Sequence, residues 1–178
     1  PPRTRGPVTG FVGEGAAGLT KAAEARVEPA CTVQNAQGMI LERGHRESVT
    51  RVADIPVTLG GAARHNISNV LGAVALARSL GLSIAAIAEG LRGFQGTALA
   101  NPGRLNVFEL GGARRIGDFA PHPPGMRALV ELAPPLPADR RLVILVLAGE
   151  RTAQDVPELR RTPRPPVHNL PVCDARGR

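Results

Sequence analysis

Residues 62–80, AARHNISNVLGAVALARSL, place Ile67, Val70, Leu71, Val74 and Ala77 at spacings of three and four, the repeat of one helical face. Leu80-Gly81-Leu82 supplies the stop, because glycine enters the left-handed region freely and the next leucine can fold back on the last turn. Ser83 is then an N-cap for a second helix over 84–94, with Ile84, Ile87, Ala88 and Leu91 on one face. This helical pair is the anchor from which the flanks are read.

Upstream, short β-type runs at Cys31–Gln34, Met39–Glu42, Ser48–Val52 and Ile55–Thr58 are separated by turn-forming residues, a spacing that predicts hairpins or a small meander. Ala16–Arg26 reads as a short, weakly patterned helix. Downstream, Gly96–Gly103 contains Asn-Pro-Gly and reads as a linker. Leu105–Leu110 and Ala113–Phe119 flank Gly111-Gly112 as a β-hairpin. Pro123-Pro124 can open a helix that continues from Met126 to Leu132. Leu142–Leu147 is an unbroken apolar run, the pattern of a parallel strand buried on both faces. Thr152–Arg161 is a weak helix, and the Pro- and Arg-rich residues 162–178 read as disordered.

Composition narrows the function classes. The chain has 178 residues and is 43% hydrophobic, enough for a real core. Aromatics amount to 2%, with no Trp or Tyr, which argues against sugar clefts and base-stacking platforms. The net charge of +7 is concentrated at the end, since residues 160–178 hold five Arg and one Asp. Those arginines lack aromatic interleaving and a reading motif, so nucleic acid is not the expected partner. Cys31 and Cys173 form neither a disulfide framework nor a metal-ligand spacing, which points to a reducing cytoplasm. The most apolar window, 70–87, is interrupted by Arg78, Gly81 and Ser83, so no membrane span is expected.

Several residues carry candidate chemistry, each beside a plainer role. Gly13-Glu14-Gly15-Ala16-Ala17-Gly18 matches the glycine spacing of a dinucleotide loop, but Val8–Val12 before it is a poor strand, and Leu19 stands where a phosphate loop needs lysine. On the first strong helix, His65 and Asn69 stand at i,i+4 and Asn66 and Asn69 at i,i+3, gathering polar groups on one side. A primary amide there can read a purine edge, or the group can simply cap and solvate the helix start. Arg104 can clamp an anion or be a solvated linker residue. Asp118, at the end of an apolar strand, can take ribose hydroxyls or be a turn aspartate. His122, between prolines and without a partner acid, reads as a loop histidine.

Taken in order, these pieces resemble one family. Gly-Gly-Ala-Ala-Arg-His-Asn-x-x-Asn at 60–69, the Leu-Gly-Leu break, Gly90-Leu91-Arg92-x-Phe94 and Asn101-Pro102-Gly103-Arg104 are followed by Asp118-Phe119-Ala120-Pro121-His122-Pro123 and Gly125-Met126-Arg127-Ala128-Leu129. The series is similar to the end of the central domain and the start of the C-terminal domain of Mur ligases, in particular their cyanophycin synthetase-like members, over about residues 48–160.

The resemblance implies an α/β fold: a partial central ATPase domain over 31–98, built of a small β-segment and the helical pair, then a small Rossmann-like C-terminal domain over 99–161. Residues 1–30 are an unmatched Gly/Pro-rich segment, and 162–178 form the tail. It also implies an ATP-dependent ligase, in which ATP phosphorylates a carboxylate and an amine attacks the acyl phosphate, with Mg²⁺ on the phosphates. Carried over by position, Asn69 meets the adenine with His65 and Asn66 beside it, Arg104 reaches the terminal phosphate and Asp118 holds the ribose. No catalytic or metal-ligating residue is assigned.

The departures are specific. No Gly-Lys-Thr phosphate loop occurs in these residues, and Lys21, the one lysine, lies outside the similar stretch. The family's Asp-Tyr-Ala-His-Asn-Pro reads Asp-Phe-Ala-Pro-His-Pro, and Gly-Asp-Arg reads Gly149-Glu150-Arg151. The expectation is a truncated or decayed ligase that binds ATP and depends on another chain for its phosphate loop, inactive alone. The alternative is a non-catalytic remnant or interaction module.

Overall fold

The computed structural model describes residues 10–12, 30–42, 45–120, 123–142, 144–147 and 172–174. The fold is mixed α/β, and the chain divides into two compact units, residues 1–96 and 97–178.

The first unit is built on a four-stranded sheet in the order β1 (Gly10–Val12), β2 (Ala30–Gln34), β3 (Gln37–Glu42) and β4 (His45–Arg51). β2, β3 and β4 form an antiparallel meander, while β1 joins β2 in parallel, with Phe11 opposite Cys31. The poor strand read at Val8–Val12 is thus a strand at its last three residues, held by a neighbour no local pattern reveals. The glycine triplet that follows it, like the weak helix at Ala16–Arg26, lies outside the described residues.

The four central residues of the sheet, Ala30 to Val33, are all buried. Such a strand needs cover, and α1 (Arg64–Ser79) supplies it, packing on β1 and β2, while α2 (Ile84–Gly93) packs on β4. The core joins Cys31, Val33, Ile40, Val49 and Val52 of the sheet side to Leu71, Val74, Ala75, Ile87 and Ala88 of the helices, with Ile67, Val70, Ala77, Ile84 and Leu91 packed around it. The predicted stripes are therefore the buried ones.

The break between the helices has the predicted geometry. Gly81 lies at φ +85, its N–H donates to the Arg78 carbonyl at 2.9 Å, and the Leu82 N–H donates to the Ala77 carbonyl at 3.2 Å, the paired bonds of a Schellman stop. The Arg78 guanidinium reaches Glu42 of β3 at 3.0 Å and donates to the Leu82 carbonyl at 3.3 Å, fastening this end of α1 to the sheet. Ser83 caps α2 by accepting from the Ala86 N–H at 3.2 Å. Ser83→Ala is expected to cost about 1 kcal/mol, read as a lowered thermal midpoint by circular dichroism.

One predicted strand is corrected. Ile55–Thr58 is not extended, because Val52–Asp54 and Pro56–Thr58 form successive 3-10 turns. Pro56 fixes the start of the second turn, and the fully buried Thr58 hydroxyl lies 2.7 Å from the Val52 carbonyl and 2.8 Å from that of Ile55. It also accepts from the Gly61 N–H at 3.2 Å, so one hydroxyl ties the sheet's exit to the entry of α1.

The second unit opens with a hairpin, β5 (Asn106–Leu110) and β6 (Ala113–Gly117), turned at Gly111 and Gly112 with φ +60 and +72. Two consecutive positive angles make the primed turn that favours glycine, as the sequence predicts. α3 (Pro123–Leu132) follows, with Met126 packed beside Ala120, Leu129 and Val130. Arg141 donates to the carbonyls of Ala133 at 3.1 Å and Leu136 at 2.8 Å, satisfying acceptors beyond the end of α3.

The expectations at the end of the chain change in two ways. Among the described residues of the apolar run 142–147 the strand is β7 (Leu145–Leu147), and Leu142 and Ile144 are exposed, so the whole run is not buried on both faces. Its partner is β8 (Val172–Asp174), parallel to it with Leu145 opposite Val172. Those three residues fall in the tail read as disordered; strand pairing with an apolar segment overrides their Pro- and Arg-rich surroundings. His122 and the weak helix at Thr152–Arg161 lie outside the described residues.

Candidate functional site

The candidate residues fall into two groups, one on each unit. On the first unit, α1 begins after three successive left-handed residues, Leu59, Gly60 and Gly61, with φ +51, +69 and +97. Ala63 stands at its N-cap without a side-chain acceptor. His65 and Asn66 are half-buried and Asn69 is exposed. The Asn66 amide donates to the Val57 carbonyl at 2.7 Å, and Asn69 donates to Asn66 Oδ1 at 3.2 Å.

This relay orients Asn69. One of its N–H bonds is committed to Asn66, whose own amide is anchored to backbone, leaving the second N–H and Oδ1 as a donor and acceptor side by side. Asn66 thus does structural work that the helix pattern did not reveal. Its signal in the sequence is the i,i+3 spacing to Asn69.

On the second unit, Asn101–Asn106 form a loop folded around one buried side chain. Asn106 is 3% exposed. Its Oδ1 accepts from the Gly103 N–H at 2.7 Å, and its Nδ2 donates to the carbonyls of Asn101 at 3.0 Å and Arg104 at 3.4 Å. The Arg104 side chain stands exposed on that loop.

Asp118, half-buried, closes the loop from the other side. One carboxylate oxygen accepts from the Leu105 N–H at 2.8 Å and the other from the Ala120 N–H at 2.8 Å. Both donors belong to non-glycine residues at positive φ, +49 at Leu105 and +30 at Ala120. A left-handed L-residue costs about 1–2 kcal/mol, and charge-assisted hydrogen bonds of this kind help to hold it. The Phe119 N–H adds a bond to the Gly103 carbonyl at 2.8 Å. Each Asp118 oxygen retains a further lone pair, so the carboxylate can still receive a hydroxyl.

The structure therefore bonds Asn69 to Asn66, with His65 on the same helix, and separately joins the backbone around Arg104 to Asp118. The residue that sequence reasoning missed is Asn106. Elsewhere on the first unit, Asp54 is held below the usual carboxylate range by its hydrogen bonds from Arg51, at 2.9 and 3.0 Å. Among the described residues no group of three His, Cys, Asp or Glu side chains stands together as a metal cage. Nor is any described helix long and apolar enough to cross a membrane.

No protein-family model matches the chain. It is 32% identical over 135 residues to the cyanophycin synthetase of Crocosphaera subtropica, a match spanning 70% of this chain and 16% of that protein. It is 36% identical over 98 residues to the UDP-N-acetylmuramate–L-alanine ligase of Halorhodospira halophila, covering 52% of this chain and 19% of the other. The chain thus spans under a fifth of the length of these curated relatives. Among solved structures it is similar to MurF from Acinetobacter baumannii, with a TM-score of 0.59 and 21% identity, covering 94% of this chain and 39% of that one. That likeness carries the fold.

Proposed function

We infer, for a chain that belongs to the Mur ligase family as a cyanophycin synthetase-like sequence, that it forms part of an ATP-dependent ligase joining a carboxylate to an amine. In this reading the first unit is the end of the central ATPase domain and the second the start of a Rossmann-like C-terminal domain, working in the cytoplasm. A carboxylate oxygen takes the terminal phosphoryl group of ATP as ADP leaves. An amine nitrogen then attacks the acyl carbon, and phosphate departs as the amide bond forms.

The observation that carries the reading is the oriented amide of Asn69. Anchored through Asn66 to the Val57 carbonyl, it presents one donor and one acceptor together, the complement of an adenine edge. His65 borders it on the same helical turn. Arg104 supplies a guanidinium for the terminal phosphate, and Asp118 offers its remaining lone pairs to a ribose diol. Magnesium on the phosphates would supply charge neutralisation for the phosphoryl transfer. The phosphate loop of such a ligase would be contributed from outside these 178 residues, so the chain by itself is expected to bind nucleotide and not to turn over.

Calorimetric titration of the purified chain with MgATP tests this. Saturable binding is expected, weakened about tenfold or more by Arg104→Ala, the loss of a charge-assisted contact worth about 1.5–3 kcal/mol. Asp118→Ala is expected to weaken it too. No heat at millimolar MgATP from a folded chain would overturn the reading and leave a non-catalytic module.

A further inference from the structure

We propose that Asn106 is a positioning residue for Arg104, setting its guanidinium for a polyphosphate anion; the proposal rests on the nucleotide reading of Arg104 above. Arginine is long and its side chain here is exposed, so its reach is defined only if the backbone at its root is fixed. Three of the contacts that fix it come from one side chain. Asn106 holds the Gly103 N–H just before Arg104, the Arg104 carbonyl itself, and the Asn101 carbonyl at the loop's start.

The amide is suited to this because it carries both a carbonyl acceptor and two donors, whereas a carboxylate has no donor and a lysine no acceptor. At 3% exposure it works away from competing water, where a broken bond leaves a backbone group unsatisfied. The opposite side is pinned by Asp118 on the Leu105 N–H and by the Phe119 N–H on the Gly103 carbonyl. Leu105, the residue between Arg104 and Asn106, sits at φ +49, a conformation a free loop would relax. Asn106 holds the carbonyl and Asp118 the N–H of the peptide group that joins Arg104 to Leu105, so Arg104 projects from a backbone with little freedom.

The test uses the full chain and its Asn106→Ala, Arg104→Ala and doubly substituted variants. Each is titrated calorimetrically with magnesium tripolyphosphate and, separately, with adenosine, and amide exchange at Gly103 is followed by NMR. Asn106→Ala is expected to weaken tripolyphosphate binding about tenfold, to leave adenosine binding within twofold of the parent, and to speed Gly103 exchange. The double variant is expected to bind tripolyphosphate no more weakly than Arg104→Ala alone, because the two residues act as one unit. A folded Asn106→Ala that binds tripolyphosphate like the parent, or losses that multiply in the double variant, would overturn the proposal. A parent chain that binds adenosine but not tripolyphosphate overturns it while leaving the base-reading role of Asn69 standing; one that binds neither overturns both. If Asn106→Ala does not fold, Asn106→Ser, too short to span all three partners, carries the same comparison with the same outcomes.

Discussion

A Leu71→Ala chain is expected to lose about 2–5 kcal/mol of stability, near the upper part of that range. Leu71 is 2% exposed at the centre of α1, in the core that joins the helices to the sheet. Truncation removes the contacts of a buried leucine and leaves a cavity whose cost depends on how far its walls collapse. Collapse is hindered here, because a small apolar void already adjoins Leu71, lined also by Met39, Val49, Ile55, Val74 and Leu91. The walls come from β3, β4, the turn at Ile55 and both helices, and cannot all move inward together. Against a typical total of about 5–15 kcal/mol, such a loss would bring the fold close to failure. Urea denaturation followed by circular dichroism measures it, with Leu76→Ala, 63% exposed on the same helix, as the control expected within about 0.5 kcal/mol. A loss below about 1 kcal/mol at Leu71 would show that the first unit is not organised around it.

The second large effect is a loss of stability as pH rises from 9 to 11. Cys31 is 1% exposed on the central strand β2, and burial pushes its thiol up from 9.0 to about 11. Between these values the unfolded chain has released the proton that the folded chain keeps, so unfolding is favoured increasingly with pH. The stabilisation is fully present below pH 9 and gone above pH 11, about 2–3 kcal/mol across the window. The window is unusually clean: the chain has no Tyr, and its one Lys and Cys173 are the other side chains that ordinarily titrate there. Denaturant midpoints at pH 8.5 and 11 should separate for the parent chain and converge for Cys31→Ala. Equal separation in both would remove Cys31 as the cause.

What the sequence made legible was local and periodic. Both helices, their Gly81 break, the Ser83 cap and the Gly111-Gly112 hairpin follow from rules that act within a few residues, and the structure has each of them. The errors arise where a buried side-chain hydrogen bond or a distant partner decides. Ile55–Thr58 is apolar and β-branched enough for a strand, yet Pro56 and the buried Thr58 hydroxyl coil it into a turn. β1 and β8 owe their pairing to β2 and β7, from which they are far removed in sequence.

The candidate residues show the same division. Asn69 was visible as a helix position, but its orientation depends on the Asn66 bond to Val57, nine residues upstream. Asp118 was readable as a strand-end carboxylate, whereas its grip on Leu105 spans thirteen residues. Asn106 escaped notice because a lone asparagine beside a leucine has no pattern. Only burial and three partners distinguish it.

The hairpin on which this loop is built has most of its residues exposed on both strands, including Phe108 and Leu110. A two-stranded ribbon is marginally stable alone, so the order of the loop leans on the bonds from Asn106 and Asp118 and on the turn that closes the ribbon. Any opening of the ribbon would scale down the apparent affinity for an anion that needs Arg104 in place. If Arg104 meets a phosphate as proposed, turn chemistry at Gly111-Gly112, at the far end of β5 and β6 from Arg104, would tune that binding through the hairpin.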